Sequence, residues 1–231
     1  MDGLPDIVLQ TPMWLALLTT GVGAIEGALL SRKGGDVSVD IMGAAVFALL
    51  LGLGGGFARD TMLGNTPFVA LRTPWYLLTV LGALVLALVV GRWIPQRGRI
   101  MLVLDALTLG LYAAIGTQYA MDFHVSWVGA LLVGCAASVT GGVVVSVLRR
   151  ETPSLLAPGF PYALLAIVGS ATYLVLAPIN GAVASLAAVA LVVGLRWLTV
   201  GLDIRTPALK AFGDAKSQPA ERSGAQLPFA D

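Results

Sequence analysis

Charge is scarce in this chain: only 12% of its 231 residues are Asp, Glu, Lys or Arg, while 57% are hydrophobic. A soluble domain carries about a quarter charged residues. With a mean hydropathy of +0.87, the composition excludes an ordinary one-core soluble domain and describes an integral membrane protein. Cysteine occurs once, as Cys135 within an apolar run, which excludes an intrachain disulfide framework. Histidine also occurs once, as His124 beside Asp122. With no second soft ligand near it in sequence, His124 reads as a solvated loop residue, and no metal site or bound cofactor is expected. Alternation of period two over ten-residue stretches is missing, which argues against an outer-membrane barrel. A basic leader is missing too, since Asp2 and Asp6 stand at the start, so the first apolar run is expected to be a retained span. No nucleophile has a candidate base, and "GLGGGFARD" lacks the strand that precedes a phosphate loop. No catalytic residues are assigned. The net charge of +1 says nothing about partners, and no nucleic-acid partner is expected.

What is present is a succession of apolar runs long enough to cross about 30 Å of hydrocarbon as helix. They fall at 12–30, 39–63, 74–93, 100–120, 125–148, 161–177 and 181–200, which predicts an all-α protein with seven transmembrane helices. Twelve basic residues lie on one side of this arrangement, among them Arg32, Lys33, Arg92, Arg97, Arg99, Arg149, Arg150, Arg196, Arg205, Lys210, Lys216 and Arg222, against Arg59 and Arg72 on the other. The positive-inside rule then puts the C-terminus in the cytoplasm and the N-terminus outside a cell (inner) membrane. The segment 206–231, with Pro207, Pro219, Pro228 and scattered charge, reads as a disordered cytoplasmic tail.

The stretch "LGLGGGFARDTMLGNTP", from Leu51 to Pro67, places three glycines and an Arg-Asp pair inside a span. A shift of 86 positions brings the two halves of the chain into register. Gly43 meets Gly129, Gly55 and Gly56 meet Gly141 and Gly142, Thr66-Pro67 meets Thr152-Pro153, and Tyr76 meets Tyr162. Three spans per half is an odd number of crossings, so the modules 12–93 and 100–178 are expected to be inverted repeats, with 181–200 as a seventh helix. Interrupted helices at such a repeat interface build the midplane sites of transporters. Glycine clusters soften a helix, so the second and fifth spans are expected to be kinked at Gly54, Gly55 and Gly56 and at Thr140, Gly141 and Gly142. Close packing of small residues is the alternative.

"GGGFARDTMLGNTP" followed by "LRTPWYLL" resembles the signature of bacterial membrane proteins related to trimeric intracellular cation (TRIC) channels, whose two three-helix modules are also labelled glycine-transporter domains. The resemblance covers roughly residues 15–198. It implies a homotrimer, an hourglass pore in each protomer lined by the second and fifth helices, and passage of monovalent cations, K⁺ above all. The second module departs from the pattern: it reads "TGGVVVS", with Thr140 for the first glycine and Val145 and Ser146 where the first module has Arg59 and Asp60.

Arg59 and Asp60 either form a plain ion pair at a helix end or set the field of a pore. Charges in a span cost about 2.5–3.5 kcal/mol even on lenient scales, so they pair or line water. Glu26 and Asp105 are the other acids within spans; both are either structural ion-pair members or a cation-concentrating lining of the inner mouth. Ser138, Thr140 and Ser146 offer hydroxyls along the fifth span, either to a pore or back to the helix itself. Asp40 is an expected N-cap. Arg149 and Arg150 follow the orientation rule and add a weak lipid-headgroup site. Two functions fit: a cation channel, or a secondary transporter of a small zwitterion such as glycine.

Overall fold

The computed structural model describes residues 12–32, 39–94, 98–156 and 162–202, within which the apolar runs form helices. The helices are α1 (Met13–Leu30), α2 (Ile41–Met62), the short α3 (Val69–Arg72), α4 (Trp75–Val90, continued by a 3-10 turn to Trp93), α5 (Arg99–Asp122), α6 (Trp127–Leu148), α7 (Tyr162–Leu176) and α8 (Gly181–Gly201). Six of them are long and apolar enough to cross a membrane. The expected span 161–177 is represented by α7, an apolar helix whose described part has 15 residues, ~22 Å long. The short α3 was not foreseen; it stands between Pro67 and Pro74, where proline limits helix on both sides. The expectations for 206–231, and for Lys33, Arg97, Arg205, Lys210, Lys216 and Arg222, lie outside the described residues.

All five tryptophans of the chain lie near helix ends and are between 49% and 72% exposed. Such a ring of amphipathic aromatics is the mark of the membrane–water interface. Leu77, Leu81, Val85 and Val89 of α4 are also exposed, a surface that only lipid or another apolar face accommodates. The interior is built from small residues: Ala24, Ala28, Ala48, Ala106, Ala113 and Ala130 are at most 1% exposed. In a bilayer, where hydrophobicity does not drive helices together, close contact of small side chains does.

Packing follows the two halves of the sequence. Helix α1 packs on α2 and α4, α5 packs on α6 and α7, α2 meets α6, α1 meets α5, and α8 lies against α5 and α7. The shift of 86 recurs in the backbone. Asp40 caps α2 by accepting from the Gly43 amide at 2.8 Å, and Ser126 caps α6 by accepting from the Gly129 amide at 3.2 Å. Both helices are 22 residues long. After them Gly64 and Arg150 adopt φ of +65° and +58°. The Asn65 amide then donates to the Asp60 carbonyl at 2.8 Å, and the Glu151 amide to that of Ser146 at 2.9 Å, the bond pattern of a left-handed helix stop.

Candidate functional site

The glycines act first through what they allow to touch. A Cβ on Gly54 would lie 3.2 Å from the Gly141 Cα, and one on Gly141 would lie 3.0 Å from the Leu50 carbonyl oxygen. A Cβ on Gly55 would strike the Ala137 carbonyl and come within 2.7 Å of the Tyr112 ring. So α2 and α6 cross backbone to backbone at the two clusters. Both helices run uninterrupted through them, and the contact itself uses the missing side chains. The Tyr112 hydroxyl donates to the Gly52 carbonyl, a second donor for that carbonyl one turn before Gly56. Gly56 differs from its neighbours: nothing lies within 4 Å of its virtual Cβ.

On either side of this crossing lies a cavity with polar side chains among its walls. One, of about 240 Å³, is reached by Ser138, Gly142 and Ser146 along one face of α6. The other, of about 20 Å³, is reached by Gly52, Gly56 and Asp60 along one face of α2, each 86 residues earlier. The correspondence extends through the walls: Leu102, Asp105, Val139, Val145 and Tyr162 line the first where Ala16, Thr19, Leu53, Arg59 and Tyr76 line the second. It also crosses over, with Glu26 in the first and Tyr112 in the second. The cavities sit at opposite ends of α1, since Ala16 borders one and Leu30 the other, about 20 Å apart at 1.5 Å per residue.

The larger cavity is acidic at its core. Asp105 accepts from the Tyr162 hydroxyl at 3.1 Å and from Arg196 Nη2 at 3.0 Å. The Arg196 guanidinium carbon stands 5.2 Å from the centre of the Tyr162 ring. Glu26 is 5% exposed, and its Oε2 has no hydrogen-bond partner. The two acids therefore part ways: Asp105 is an ion-pair member as well as a wall, and Glu26 is a lining carboxylate. At the mouth, Arg149 donates to the Leu30 carbonyl and pairs with Glu151 at 2.9 Å. A cation on the last carbonyls of α1 complements that helix end. Arg149 is thus turned inward, and Arg150 is exposed. Ser138 and Thr140 bond back to the Cys135 and Ala136 carbonyls at 2.8 and 2.6 Å. Ser138 and Ser146 nevertheless border the cavity, and Thr140 is not among its walls.

The smaller cavity is bordered by the Arg-Asp pair. Arg59 Nε and Nη2 both reach Asp60 Oδ1, at 2.8 and 2.7 Å, while Asp60 Oδ2 accepts from the Val69 amide at 2.7 Å. The Arg59 guanidinium carbon lies 3.7 Å from the centre of the Tyr119 ring, a cation–π stack. Arg59 and Asp60 are 6% and 1% exposed. They do not reach out to headgroups; they tie α2 to the first residue of α3. Arg72 extends the knot, donating to the Pro67 carbonyl at 2.9 Å and to Asn65 Oδ1 at 2.5 Å. Sequence reasoning missed Tyr112, Tyr119 and Asn65 here and Thr108 in the larger cavity, because no motif marks a single residue that meets its partner from another helix.

Spanning helices, exposed tryptophans near helix ends and two cavities on either side of a glycine crossing describe a polytopic membrane protein. The model of the family described as "Glycine transporter" matches residues 13–92 and again 102–178, and the chain belongs to that family, the TRIC-type membrane proteins. It is 30% identical over 197 residues to a UPF0126 membrane protein of Deinococcus radiodurans, covering 84% of this chain and 90% of that one. It is 32% identical over 157 residues to the UPF0126 inner membrane protein YadS of Escherichia coli K12, covering 68% and 74%. Its structure is similar to the TRIC trimeric intracellular cation channel orthologue from Rhodobacter sphaeroides, with TM-score 0.74, 29% identity and coverage of 82% and 97%. A second structure, from work on conductance through TRIC cation channels, matches with TM-score 0.73, 28% identity and coverage of 87% and 98%.

Proposed function

We propose that the protein is a monovalent cation channel, with K⁺ as its principal ion, and that each protomer of a homotrimer holds its own pore lined by α2 and α6. The observation that carries this reading is the pair of cavities lined by residues 86 apart, at opposite ends of α1 and separated by the α2–α6 crossing. Such a pairing is what two inverted modules, α1–α2–α4 and α5–α6–α7, would build, with α8 added. Similarity to TRIC cation channels supports the same reading. On the charge rule the Glu26 cavity faces the cytoplasm and the Asp60 cavity faces outside, with the N-terminus outside an inner membrane. Arg150 is placed to meet acidic headgroups there. In planar bilayers under a KCl gradient, the purified protein is expected to give unitary currents that reverse near the K⁺ potential. Silent membranes, or reversal near the Cl⁻ potential, would overturn the reading.

Within it, Arg196 offsets Asp105, and Glu26 supplies the attraction for cations at the inner mouth. A single charge ~5 Å away in water-like surroundings is worth about 0.8 kcal/mol, or about fourfold in ion occupancy. Glu26→Gln is therefore expected to lower outward K⁺ conductance about fourfold at low salt, with the difference shrinking as salt rises. An unchanged conductance at low salt would remove Glu26 from the path. The description of the family favours a second reading, a carrier of a small zwitterion such as glycine; saturable, substrate-specific uptake into proteoliposomes without unitary currents would select it.

A further inference from the structure

A cavity larger than these two lies off the α2–α6 axis. A groove of about 760 Å³ runs over α5 between α1 and α8, at the end of the bundle that carries Arg59 and Asp60. Its walls are apolar for most of its length, with Leu18, Leu111, Leu186 and Val189 among them. Its floor follows α5 from Leu107 to Asp122, ~22 Å of helix and enough to take a chain across half of a ~30 Å hydrocarbon core. Trp14, at the end where Asp122 lies, is 63% exposed and lines the mouth, the level at which aromatic residues meet headgroups.

That end is chemically distinct. Asp122 closes the groove at the last turn of α5, and its Oδ2 is buried without a hydrogen-bond partner. A shielded carboxylate oxygen lacking a donor is costly to leave so, and an ammonium group offers three donors and the opposite charge. We propose that this groove binds a phospholipid whose headgroup ends in a primary ammonium, one acyl chain lying along α5 and the ammonium on Asp122. Phosphatidylethanolamine fits these terms. Phosphatidylcholine fits the groove and lacks the donors, and phosphatidylglycerol lacks the charge. The proposal rests on the groove alone and does not depend on what passes along α2 and α6.

Native mass spectrometry of the purified assembly, titrated with dioleoyl phosphatidylethanolamine, phosphatidylcholine or phosphatidylglycerol, tests it. The ethanolamine lipid is expected to bind about tenfold more tightly than the choline lipid, the value of one charge-assisted hydrogen bond. Asp122→Asn should bring the two lipids level. Ala182→Trp, at an exposed position on the groove wall, should abolish retention of both while leaving the subunit count unchanged. Equal binding of all three lipids by the unaltered protein would overturn the proposal. So would full retention in Ala182→Trp, or a change in subunit number without loss of lipid, which would mean that a second copy of the chain covers the groove.

Discussion

Alanine in place of Gly55 is expected to destabilise the protein by about 2–3 kcal/mol, the scale of overpacking in a closed core, whereas alanine in place of Gly56, one residue on, is expected to leave stability unchanged or raise it by up to ~1 kcal/mol through helix propensity. The new methyl at 55 would meet the Ala137 carbonyl and the Tyr112 ring. The first belongs to the α6 backbone, and the second is 6% exposed and held by the hydroxyl bond to Gly52. Relief needs α6 to move away from α2, which undoes the Gly54–Gly141 contact as well. At 56 the methyl enters open space. That space is the cavity of about 20 Å³, room for about one water, so Gly56→Ala should fold normally and conduct poorly. Thermal unfolding in detergent, read beside single-channel recording, separates the two glycines. Equal melting temperatures for the two variants would show that the crossing tolerates a side chain and that the close contact is not what the triplet provides.

This contrast marks how far the sequence could be read. The repeat was legible because the glycine pairs, the Thr-Pro pairs and Tyr76 with Tyr162 keep one offset along the chain, and Asp40 with Ser126, or Gly64 with Arg150, keep the same offset in the fold. The membrane class followed from composition. The division of labour inside the triplet was hidden, because it depends on which face of α2 meets α6, and three adjacent glycines carry no side-chain pattern that tells one face from another. Tyr112 was hidden as a site residue for a related reason: its partner Gly52 lies 60 residues away, beyond the reach of any periodicity. The inward turn of Arg149 carried no local signal either. The carbonyl end of α1 lies beside it and draws its guanidinium inward.

The second large effect belongs to Asp60. Asp60→Asn is expected to cost about 3–5 kcal/mol, the usual result of removing one partner from a buried ion pair. Asparagine keeps the size and can still accept from the Val69 amide, which Asp60 Oδ2 does at 2.7 Å. It then presents an NH₂ where Oδ1 accepted two Arg59 nitrogens, setting donor against donor. Arg59, 6% exposed, would be left as a buried cation beside the Tyr119 ring, and a cation–π contact of about 2 kcal/mol when desolvated does not replace a carboxylate. An unneutralised guanidinium bordering the smaller cavity also repels cations, so surviving channels should carry less K⁺ current. Arg59→Gln combined with Asp60→Asn removes both charges, and the pair should recover about 2 kcal/mol or more relative to the sum of the singles. Conductance should return with it, since the repelling charge is gone. If Asp60→Asn instead melts and conducts like the unaltered protein, Arg59 needs no counter-charge, and the pair is neither the tie between α2 and α3 nor a determinant of the field in the cavity. Recovery of stability in the double variant without recovery of current would keep the tie and remove the electrostatic role, because the same two charges are absent in both measurements.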